Sequence, residues 1–152
     1  MSFFMRSSLR TVPLIGAFLL SATPAIADEF LYMACMYEVN IRETRLPSEE
    51  ITDERDIKDI IFYKINLTNK TLRSKRSSSW DDIDVRDNQI ILEIETDDDD
   101  DYFQGRNVIP LNPPGPTSSD WQSRTTTALR IGKAKGMCSE IEPSMFENGF
   151  KQ

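Results

Sequence analysis

Cys35 and Cys138 are the only cysteines of the chain, and it contains no histidine. Nucleophilic triads lean on histidine as their base, so that route to catalysis has no base here. Two cysteines in an exported chain pair with each other, which removes the free thiolate as well. Closing a loop of about 100 residues contributes up to ~4.7 kcal/mol by chain entropy. Met33 and Met36 flank Cys35, and Met137 precedes Cys138. Strands that paired these segments would gather soft sulfur donors of the kind Cu(I) takes. In a regular strand, however, Met36 and Met137 point away from their neighbouring cysteines. Methionine packed around a disulfide is therefore the expectation, with no metal and no cofactor.

Carboxylates offer the next chemistry. Asp97, Asp98, Asp99, Asp100 and Asp101 are consecutive, and no glycine follows until Gly105. A calcium loop needs staggered oxygen ligands and a glycine to turn the backbone, so the run reads instead as a solvated, self-repelling hairpin tip and not a strand. Such a tip attracts a basic protein, and the adjacent Tyr102 and Phe103 supply contact surface for one. Glu93 with Glu95, and Asp82 with Asp84, have the spacing that puts two carboxylates on one strand face, within reach of acid–base work. The solvent side of an amphipathic strand explains both pairs, and no enzymatic activity is expected. Asn66-Leu67-Thr68 and Asn69-Lys70-Thr71 match the glycosylation acceptor pattern, although a turn accounts for both asparagines. Trp80, Trp121, Tyr102 and Phe103 fall near strand ends, where aromatics either rim an apolar pocket or plug a small core.

The elements that must position these groups begin after an export signal. Arg6 and Arg10 form a positive start, Val12 to Leu20 is apolar apart from Pro13 and Gly16, and Ala25-Ile26-Ala27 supplies a cleavage site. The apolar run is about half of the roughly 20 residues a spanning helix requires. Residues 1–27 are thus expected to be a cleaved Sec-type leader, and residues 28–152 a single periplasmic or secreted domain without stable membrane insertion. Beyond the leader, 16 basic residues face 25 acidic ones, a net charge of −9. That balance argues against nucleic acid and anionic membranes, which need positive charge to displace counterions.

Alternating apolar residues predict strands at Glu29–Ile41, Ile57–Asn66 and Ile90–Ile94. Turn residues at 66–70 and at Arg86-Asp87-Asn88-Gln89 predict two hairpins, to Thr71–Ser74 and between Ile83–Val85 and Ile90–Ile94. Arg42–Asp56, charged and carrying Pro47, reads as a loop with one helical turn. Tyr102-Phe103 and Val108-Ile109 read as short strand pieces, and the proline-rich run 110–116 as an extended loop. Trp121 to Ile131 alternates as one threonine-rich strand, and Gly132–Ile141 as the last.

The fold class expected is all-β and mainly antiparallel, a small barrel or sandwich of six to eight strands with one disulfide. The function expected is that of a non-enzymatic protein-binding domain, for instance an inhibitor of a cationic secreted enzyme such as a lysozyme, met through 97–103. Two other classes stay open: a lipocalin-like carrier of a small apolar ligand, and a structural accessory of an envelope complex.

Overall fold

A computed structural model describes residues 29–148 of the protein; the expected leader lies outside them. Strand β1 (Phe30–Arg45) shows how the sequence builds the rest. Its odd-numbered residues Met33, Cys35, Tyr37 and Val39 are buried, while Met36 and Glu38 between them are exposed. Period-two burial of this kind is one apolar face of a sheet turned onto a core. β2 (Glu50–Asn66) returns alongside it, β3 (Thr71–Ser74) follows, and β4 (Asp81–Asp82) and β5 (Asp84–Arg86) are two short pieces of one segment. β6 (Gln89–Asp97), β7 (Tyr102–Pro110), β8 (Gly115–Arg124) and β9 (Ala128–Glu140) run up and down to the end. A last helix, α1 (Pro143–Asn148), is six residues long and opens on proline, whose missing N–H costs nothing at that position.

Every pairing is antiparallel, and the strand order is β4-β3-β2-β1-β9-β8-β7-β6-β5. The two outermost strands, β4 and β5, are joined through Ile83 alone, so the sheet curls round into a nearly closed barrel. Ile83 is buried, and its N–H donates to the Lys70 carbonyl at 3.0 Å. That break is why nine strands form where six to eight were expected. Met33, Ile65, Leu72, Ile90 and Ile109 fill the interior and are fully buried. Each contributes about 1.5–3 kcal/mol relative to exposure.

Cys35 and Cys138 stand directly opposite each other in β1 and β9, the seam where the first strand meets the last, and they form the disulfide. The hairpin at Asp87-Asn88 forms as expected, with both residues at positive φ (51° and 62°). That is the backbone of a type I′ turn, which matches the twist of the flanking strands. The turn into Thr71–Ser74 forms as well.

Five expectations are corrected. Arg42–Asp56 is not a loop: β1 and β2 continue as a long hairpin, and only 46–49 turn. Its charged residues face partners across the strands, Arg42 to Glu54 at 3.0 Å and Asn40 to Asp56 at 3.0 Å. Beyond the core such pairs replace the apolar face on which strand recognition depends. Trp121 to Ile131 is not one strand either. Thr125 breaks it, its Oγ accepting the N–H groups of Thr127 and Ala128 at 3.3 and 3.1 Å in a turn. Finally, Asp97 is a strand residue, ending β6 opposite Tyr102, and 102–110 forms one strand in place of two fragments. Pro110 and Gly115-Pro116 belong to strand ends, which leaves 111–114 as the connection.

Candidate functional site

Asp98 to Asp101 close the β6–β7 hairpin with two backbone bonds, the Asp98 N–H to the Asp101 carbonyl at 2.9 Å and the reverse at 3.2 Å. The turn and the end of β6 leave all five residues of 97–101 exposed. Among the described residues no ion pair uses any of the five, while Glu43, Glu50, Asp53 and Glu54 of the neighbouring β1–β2 hairpin all have arginine partners. The tip is therefore an uncompensated block of negative charge at the end of the barrel where the β1–β2 and β8–β9 turns also lie. Those two turns are tied by the Leu46 N–H, which donates to the Thr127 carbonyl at 2.8 Å. Tyr102 and Phe103 part company. Phe103 lies on the inner-face parity and stacks on Trp121, ring centres 6.4 Å apart at 22°, whereas Tyr102 lies on the opposite face. Only Tyr102 continues the acidic surface.

The barrel interior holds a polar cluster that the sequence reading missed. The Tyr37 hydroxyl donates to Asn107 Oδ1 at 3.2 Å and lies 3.0 Å from Thr117 Oγ1 and 3.4 Å from the Tyr63 hydroxyl. Asn107 Nδ2 donates to Tyr63 at 2.7 Å, and Thr117 donates to the Val108 carbonyl at 2.7 Å. The four side chains satisfy one another, which offsets the cost of burying them. Burial, with the nearby Tyr37 adding to it, pushes the Tyr63 phenol well above its ordinary range and keeps it protonated. Tyr37 is in phase with Cys35 and Tyr63 with Ile65, which strand alternation alone indicates; their cross-barrel partners were out of reach of sequence.

The remaining candidates scatter. Met33 is buried inside with the disulfide, but Met36 and Met137 face each other on the outer surface, 59% and 49% exposed. The soft sulfurs are thus divided by the sheet. Glu93 pairs with Arg106 at 3.1 Å. It opens an outer rung Glu93–Arg106–Asp120–Lys133 that alternates in sign across four strands and lines an open groove of about 610 Å³. Among the described residues no cluster of three or more metal-ligating acids or cysteines converges. Trp121 lies over Gly132 on the inner side, while Trp80 is 41% exposed beside Phe30, so the aromatics share no single pocket. Asn66 is buried, and its Oδ1 accepts the Asn69 N–H at 2.9 Å, a turn role; Asn69 itself is exposed. No helix among the described residues is long and apolar enough to cross a membrane. Compared with known protein families, curated proteins and solved structures, the chain finds no match in any of them.

Proposed function

We propose that the protein is an exported, non-enzymatic binding domain whose acidic tip at Asp97–Asp101, with Tyr102, engages a basic protein partner; an inhibitor of a cationic secreted enzyme is the concrete form of this reading. The observation that carries it is the tip itself: five exposed carboxylates that make no ion pair among the described residues, at a tight turn on the barrel. Uncompensated charge on a fixed support raises encounter rates with an oppositely charged cleft and makes binding salt-dependent. The disulfide and the leader-like sequence of 1–27 support export. The absence of histidine, both cysteines held in a disulfide and a filled interior support a role without catalysis.

The carrier reading draws less support, because apolar side chains and the tyrosine cluster occupy the space that a ligand would need. The accessory reading has one observation of its own, an exposed apolar rung of Ile60, Met36 and Met137 across β2, β1 and β9. Replacing Asp97–Asp101 by serine tests the leading reading. Capture of basic proteins from an extracytoplasmic extract should weaken sharply and lose its salt dependence, while the melting temperature should hold or rise as repulsion is relieved. Unchanged, salt-dependent capture would take the tip out of the function.

A further inference from the structure

On this acidic protein one stretch is wholly basic. Residues 60–80 contain Lys64, Lys70, Arg73, Lys75 and Arg76 and no carboxylate. Folding places them on the end of β2, the turn after it, β3 and the segment leading to β4. Two are neutralised locally. Arg76 binds Asp59 at 2.8 Å, and Lys64 lies 3.5 Å from Glu147 of α1. Lys70, Arg73 and Lys75 make no ion pair among the described residues.

Arg73 is the unusual one. Its guanidinium sits 5.5 Å from the ring of Trp80 and 5.5 Å from that of Phe146, and its Nε is buried without a hydrogen-bond partner. Arg73 is half-buried, and among the described residues its guanidinium has the two ring faces for neighbours and no carboxylate, so it is open to a charge-assisted bond with an anion that reaches it. Asp81 stands opposite Leu72 and Asp82 opposite Thr71, and neither makes an ion pair among the described residues. Trp80 and Phe30 are 41% and 38% exposed, with ring centres 6.4 Å apart, and Lys64 Nζ lies 4.8 Å over Phe30. Large exposed aromatics beside a half-buried cation form a surface with two demands, a negative group and an apolar face.

We propose that this patch binds a carboxylate carried on a puckered, apolar-faced ring: an acidic sugar. The two aromatic rings are tilted at 42°, too far from parallel to sandwich a flat molecule; with Arg73 over Trp80 and Lys64 over Phe30, the exposed parts of both rings leave apolar surface for the C–H side of a sugar. Arg73 then meets the carboxylate through a planar fork, and Lys70 and Lys75 add longer-range attraction. The site lies toward the end of the barrel opposite the acidic tip, since β3 and β6 both start at that end and the tip follows β6. It stands or falls independently of the tip.

The test is a titration of the ¹⁵N-labelled protein, oxidised and without its leader, with trigalacturonate, its methyl ester and benzoate. The indole N–H of Trp80, assigned with Trp80→Phe, and the Nε–H of Arg73 should shift together and saturate with trigalacturonate. The ester, which keeps the ring and loses the charge, should bind about tenfold more weakly, as should Arg73→Gln, because a charge-assisted bond is removed. Equal binding of acid and ester overturns the proposal, as does Arg73→Gln binding like the parent. Shifts with benzoate and none with trigalacturonate overturn the sugar assignment. Should Arg73→Gln fail to fold, the exposed pair Lys70→Gln/Lys75→Gln serves in its place. Weaker binding with a flatter salt dependence supports the site, and unaltered affinity refutes it.

Discussion

Asp59 occupies an inner-face position of β2, in phase with the buried Tyr63 and Ile65, and needs a partner there. Arg76 supplies it from the loop after β3 with two hydrogen bonds, and the Ile60 N–H adds a third to the carboxylate at 2.9 Å. Hydrogen bonding by the Arg76 guanidinium, the largest effect, holds the Asp59 carboxyl below the ordinary aspartate value. A carboxylate whose affinity for protons falls on folding stabilises the native state above its unfolded value, and that contribution fades as pH drops through the lowered folded value. Asp59→Asn should therefore be less stable than the parent by about 0.5–1 kcal/mol at neutral pH, the usual size of a half-exposed pair. The two proteins should converge in acid, below both values. Urea denaturation across pH 2 to 7 checks this; a constant gap down to the lowest pH would show that the substitution acts through packing. Residues like Asp59 are not legible in a sequence, because a carboxylate at an inward position reads as a broken pattern until its arginine is seen.

Elements were legible in proportion to how far the core dictates their composition. Glu29–Ile41 and, apart from the buried Ile91, Ile90–Ile94 alternate because one face of each is buried; all of these residues but Glu29 lie within strands. The Asp87-Asn88 turn was legible for a local reason, since few residue types tolerate two positive φ values in succession. Where strands outrun the core, as in 42–56, cross-strand ion pairs replace apolar residues and the period disappears. The acidic run was legible as a tip, but its first member, Asp97, is drawn into the ladder by pairing with Tyr102. Close approach between strands is a further element-scale demand. A Cβ at Gly136 of β9 would lie 1.8 Å from the Met36 carbonyl of β1, a backbone atom that cannot step aside. Gly136→Ala should destabilise the barrel by about 2–4 kcal/mol, as overpacking against fixed backbone does. At Gly132 the obstacle is the Trp121 ring, 2.1 Å away, and a side chain can be displaced. Gly132→Ala should accordingly cost less than Gly136→Ala and register mainly in the tryptophan emission. The reverse order in thermal melts would mean that the β1–β9 seam is looser than its geometry implies.

At the scale of the whole molecule, a meander becomes a barrel only when its first long strand finds its last, and that pairing spans the largest sequence separation of any strand pair among the described residues. Cys35 and Cys138 sit within this seam, 103 residues apart and directly paired, with Met33↔Glu140 on one side and Met36↔Met137 on the other. The covalent bond thus holds the contact with the greatest chain-entropy cost to form. Loop-closure entropy sets its contribution at up to ~4.7 kcal/mol, against the 5–15 kcal/mol by which a typical domain is stable. The loss on removal should be smaller, about 2–4 kcal/mol, because a reduced unfolded chain keeps residual structure. Two quantities should change together when Cys35 and Cys138 are both replaced by alanine. The urea midpoint should fall, and the slope of stability on urea should steepen, since an unfolded chain without the cross-link exposes more surface. A lower midpoint at unchanged slope would instead place the effect in the native packing around Met33 and Ile65. An unchanged midpoint would mean that backbone pairing between β1 and β9 closes the barrel unaided.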